Sequence, residues 1–88
     1  MKNKTIKNPR IEEAFKKDNF QYIHVKAEIN RRSINMFIRI YITDEAKKIY
    51  IDKIKSLNLE LLQELYDTRN SFTGHSRIVI SQSEYNSR

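Results

Sequence analysis

The chain's 88 residues suffice for one small domain and are too few for two cores, and a fold of this size hides only roughly 60–65% of the surface of its unfolded chain. It has no cysteine, which excludes a disulfide framework and a thiolate metal site, and His24 and His75 are too few to suggest zinc, so no metal or cofactor is expected. The net charge is +6, and all of the excess lies in residues 1–43, which carry ten basic and four acidic side chains against seven of each in residues 44–88; a localised basic field of this kind attracts polyanions.

No apolar run approaches the ~18 residues of a membrane span, and "MKNKTIKNPR" lacks the apolar segment of a signal peptide. A cytoplasmic protein without membrane contact is expected. Residues 1–8 read as a basic, flexible segment in which "KTIK" could add a short strand, residues 9–85 as a single α+β domain, and residues 86–88 as a tail.

In chain order, "NPRIEEAFKKD" predicts a short helix: Asn8 can cap it, Pro9 suits its first position, and Ile11, Ala14 and Phe15 share a face. "FQYIHVKAEI" alternates strictly, with Ile23, Val25, Ala27 and Ile29 on one side and Phe20, Tyr22, His24, Lys26 and Glu28 on the other. "MFIRIYIT" does the same, with Met36, Ile38, Ile40 and Ile42 opposed to Phe37, Arg39, Tyr41 and Thr43. Joined through "NRRS", the two strands form a hairpin. If Asn30 opposes Ser33, Ile29 meets Ile34, Ala27 meets Met36, Val25 meets Ile38 and Ile23 meets Ile40, and every apolar partner lies on one face.

Thr43 then caps a helix from Asp44 to about Asn70, in which Tyr50, Ile54, Leu57, Leu61 and Leu65 make one stripe. After Gly74, "SRIVISQSEY" predicts a third strand, parallel to the second and joined beside the first by a right-handed crossover. The expected fold is a three-stranded mixed sheet, a long hairpin plus a C-terminal strand, packed on one long helix with a short N-terminal helix at its edge. A second parse breaks the helix near Ser56 to Asn58. "FIRIYITDEAKKIYIDKIKSLNLELLQELYDTRN" then becomes strand, helix, turn, helix, which resembles the ribbon-helix-helix arrangement of dimeric DNA-binding repressors over about 35 residues; the resemblance implies that Phe37, Arg39 and Tyr41 face the major groove.

Catalytic patterns are sparse. The acids fall mainly on helix surfaces, Ser76 beside His75 is not a nucleophile–base geometry, and Gly74 alone makes no phosphate loop, so a non-enzyme is expected. One constellation stands out. Tyr22, His24, Lys26, Phe37, Arg39 and Tyr41 place rings among cations on an open sheet face, where bases can stack and phosphates be neutralised. Arg31 and Arg32 at the hairpin tip form a second basic site. Nucleic acid, DNA or RNA, is the expected partner; packing against the N-terminal helix through Ile11 and Phe15, or a protein partner on the same face, is the alternative. Leu59, Leu62 and Tyr66 lie off the helix stripe and mark the expected homodimer interface.

Overall fold

The computed structural model describes residues 5–70 and 77–87. Its elements are strands β1 (Lys7–Lys17), β2 (Phe20–Ile29) and β3 (Arg32–Tyr41), helices α1 (Glu45–Lys55) and α2 (Leu59–Asp67), a two-residue strand β4 (Val79–Ile80) and a short helix α3 (Gln82–Asn86). The fold is α+β, as expected, but its sheet has four strands in the order β1-β2-β3-β4, antiparallel throughout.

The expected N-terminal helix is instead an edge strand. Two register shifts, between Lys7 and Arg10 and between Ile11 and Glu13, each insert an extra residue in β1 against β2. The second puts Ile11 opposite Val25 on the helix-covered face and Phe15 opposite Tyr22 on the other, so alternation does not run through the segment and its apolar spacing mimics a helix. Asn8 takes a positive φ of 51° at the first shift, a conformation asparagine tolerates, and Pro9 is accommodated because β1 is an edge. Bulges, proline and lysines are also what discourages further strand pairing at such an edge. Within residues 1–8, Ile6 is buried in the main core and Lys7 and Asn8 belong to β1, so the ordered domain begins before residue 9.

The central hairpin keeps the expected faces with a register displaced by two. Ala27 pairs with Ile34, Val25 with Met36, Ile23 with Ile38 and Gln21 with Ile40. Only Asn30 and Arg31 form the turn, both with positive φ (52° and 64°), as the tight hairpin turn that matches strand twist requires. A displacement of two leaves each side chain on its face.

The long helix is two helices. Ser56 ends α1, Leu57 turns left-handed at φ 56°, and the chain closes with hydrogen bonds from Leu57 N to Ile54 O (2.9 Å) and from Asn58 N to Lys53 O (3.0 Å). Asn58 then caps α2, its Oδ1 accepting from Leu61 N at 2.9 Å. At the start of α1 the cap is Asp44, one residue after the expected Thr43, accepting from Ala46 N at 3.0 Å. Val79–Ile80 pair antiparallel with β3 on its outer edge, not parallel as expected; β1 occupies the side of β2 where the third strand was expected. Gly74 and His75 lie outside the described residues.

Ile51, Ile54, Leu61, Leu62 and Leu65 from the helices cover Ile23, Val25, Ala27, Ile29, Met36, Ile38 and Ile40 of the sheet, and Ile6 and Ile78 belong to the same core. The buried face is wider than the stripe read through 44–70: at ~100° per residue Ile51 and Leu62 fall within the same arc as Ile54, Leu61 and Leu65, and so they also point into the core. Among the described residues, no helix is long and apolar enough to cross a membrane.

Candidate nucleic-acid interface

The sheet face away from α1 and α2 carries the aromatic residues. Antiparallel pairing sets Phe20 opposite Tyr41, Tyr22 opposite Arg39, His24 opposite Phe37 and Lys26 opposite Asn35, while β1 adds Lys17 opposite Phe20 and Phe15 opposite Tyr22. Directly opposed side chains lie close enough for their rings to touch. Phe15 stacks on Tyr22 with centroids 4.9 Å apart and planes 3° from parallel, and His24 stacks on Phe37 at 4.5 Å and 20°. The His24 Nε2–H donates to Asn35 Oδ1 at 2.8 Å, which fixes the ring over its neighbour.

Much of this face is covered from within the chain. Tyr85 of α3 is 2% exposed and its ring lies 4.9 Å from Phe37, 5.6 Å from Phe15, 6.0 Å from His24 and 6.1 Å from Tyr22. Tyr22 and Phe37 are therefore buried in a second, aromatic core, with Phe15, Phe20 and Ile80 packed against it. Neither is an open stacking surface in this form. Packing was the alternative explanation for these rings, and its agents are Phe15 on a strand and a C-terminal tyrosine, not a terminal helix at the edge.

One end of the face stays open. Tyr41 is 40% exposed and its ring lies 5.3 Å from that of the half-buried Phe20. The Arg39 guanidinium sits 5.1 Å from the centre of the Phe20 ring, and its Nη1 donates to Glu84 Oε2 at 2.7 Å in a half-exposed ion pair. Lys17, opposite Phe20, is exposed. Two rings and two cations are thus gathered where β1, β2 and β3 end.

The other half of the face is close to electrically neutral. Arg10 is ion-paired with Glu12, Lys7 lies opposite Glu28, and Lys26 lies opposite Arg10 on one side and Asn35 on the other. The hydrogen bond from Arg10 holds the Glu12 carboxyl below its ordinary value, and the charges of Arg10, Lys26 and His24 act in the same direction. Arg31 and Arg32 are exposed at the hairpin tip, the far end of β2 and β3 from Tyr41. Ten residues at ~3.4 Å each separate the two groups by roughly 30 Å. The structure therefore splits the expected basic–aromatic site into an open aromatic end, a covered centre and a distant basic tip.

Of the expected dimer residues, Leu62 is 0% exposed inside its own chain's core and cannot also face a second subunit. Tyr66 is half-buried with the Arg69 guanidinium 3.5 Å from its ring centre, and Leu59 alone is open, at 49%. The site residues that sequence reasoning missed are Lys17, Phe20, Glu84 and Tyr85. Phe20 shares its face with Tyr22 by simple parity, and "SQSE" at 81–84 carries a helix-start signature, realised as Ser81 Oγ accepting from Glu84 N at 3.1 Å. Nothing local in the sequence places Tyr85 over the sheet.

No protein-family model, no curated protein and no solved structure matches the chain.

Proposed function

We propose that this chain is a small, non-enzymatic nucleic-acid-binding protein that holds a single strand at the Phe20–Tyr41 end of its sheet. The observation that carries the proposal is the grouping of the exposed Tyr41 ring and the half-buried Phe20 ring with Arg39 and Lys17. A base stacked on Tyr41 or Phe20 would place its phosphates within reach of these cations, and stacking of this type contributes ~1–3 kcal/mol per base. Arg31 and Arg32 would add phosphate contacts only for a strand long enough to run along the sheet to the hairpin tip.

Fluorescence anisotropy with labelled oligonucleotides at several salt concentrations tests this reading. Tyr41→Ala should weaken binding by ~1–3 kcal/mol with little change in salt slope, whereas Lys17→Ala should reduce the slope by roughly 0.7 for a single strand. Variants that bind as the parent does, with their fold intact, would remove the proposal. A protein partner is the second reading, favoured by Ile49 and Leu59, which are 57% and 49% exposed on the opposite, helical side.

A further inference from the structure

The part of the aromatic face that α3 covers combines the same two chemistries as its open end. Tyr85 inserts a ring among Phe15, Tyr22, His24 and Phe37, and the adjacent Glu84 sets a carboxylate on Arg39. A planar ring held among rings, next to an anion held on a guanidinium, is also what a base and its phosphate would present. We propose that this cage is a second nucleotide pocket, occupied in the present form by the chain's own Glu84 and Tyr85, and that single-stranded nucleic acid enters it by displacing α3. The inference rests on the nucleic-acid reading of the adjoining open end and extends it to the covered residues.

Three features make α3 displaceable. It has only five residues, too few to hold a helix without tertiary support. Tyr85 is its only buried residue, while Gln82, Ser83, Glu84 and Asn86 are exposed. Its one ion pair among the described residues is half-exposed and so contributes little. Ile78 and Val79 are held by the main core and β4 by pairing with β3; Ile80 alone of these residues also packs against the cluster that contains Tyr85, so α3 can leave from Ser81 onward with the sheet pairing intact. Arg39 links the two regions, since it touches Phe20 at the open end and Glu84 at the covered one. Release of Glu84 would free its guanidinium for phosphate and make the rings from Tyr41 to Phe37 one continuous platform.

A closed population lowers apparent affinity by the fraction that is open, so weakening the plug must tighten binding. The test uses labelled oligothymidylate of about 12 nucleotides, long enough to run from the open end across the covered rings, with the full-length parent, Glu84→Gln, and the Glu84→Gln/Tyr85→Ala double variant. The double variant should bind about tenfold tighter and Glu84→Gln a few-fold tighter. In the parent, saturating oligonucleotide should speed hydrogen exchange at the amides of 82–86. If the parent binds but folded variants bind no better and exchange in α3 is unchanged or slowed, the plug is refuted while the open-end site stands. If no protein in the series binds, both fail. If the double variant loses its fold on melting, Glu84→Gln and the exchange measurement on the parent decide the matter by the same criteria.

Discussion

Asn58 is the residue on which the two-helix architecture turns, and replacing it gives effects whose sign depends on that architecture. Its side-chain Oδ1 accepts from Leu61 N at 2.9 Å, and its backbone N donates to Lys53 O at 3.0 Å. Asn58→Ala leaves the backbone bond and removes only the cap, which costs about 1 kcal/mol. For a domain of this size that lowers the melting temperature by roughly 4–8 °C. Asn58→Gly should cost only a few tenths of a kcal/mol, and Asn58→Asp, which keeps an acceptor and adds negative charge at the positive end of α2, should be close to neutral. In an unbroken helix the order reverses: alanine is the better helix former, so Asn58→Ala would stabilise, and glycine would be the worst of the three by about 1 kcal/mol. Thermal and urea unfolding followed by far-UV circular dichroism measures the series. An alanine variant as stable as the parent or more so would refute the cap and the break it terminates.

Arg31 holds a left-handed conformation, φ 64°, that glycine adopts freely, so Arg31→Gly should raise stability by about 1 kcal/mol in the same unfolding assay while lowering the salt slope only for oligonucleotides long enough to reach the hairpin tip. Leu62→Ala should cost about 2–5 kcal/mol, because the side chain is fully buried between helix and sheet, whereas Leu59→Ala, at a half-exposed position, should stay within about 0.5 kcal/mol; equal losses would contradict the helical phase described for α2.

The parts legible in the sequence are those in which periodicity is uninterrupted. In β2 and β3 every second residue from Ile23 to Ile29 and from Met36 to Ile40 is buried on the helix side, so both the strands and their faces could be read. Their register could not, because a two-residue turn with Arg31 left-handed violates the usual asparagine–glycine preference. The bulge between Ile11 and Glu13 sent Ile11 and Phe15 to opposite faces and disguised β1 as a helix. Leu57 ends α1 without glycine because its side chain packs, half-buried, against the main core, and that tertiary contact is invisible locally. The aromatic face was recognisable from parity. That Tyr22 and Phe37 are covered was not, since Tyr85 reaches them from 63 and 48 residues away in the chain.

The claim that a single strand of nucleic acid docks on the end of this sheet is tested most directly by following backbone amide and aromatic resonances of the labelled protein while oligothymidylate is added at low salt. The account predicts that the largest shifts fall on Lys17, Phe20, Arg39 and Tyr41, followed by α3, with the helical side around Ile49 and Leu59 unmoved. Shifts centred on Ile49 and Leu59, or none at any concentration of oligonucleotide, would contradict it.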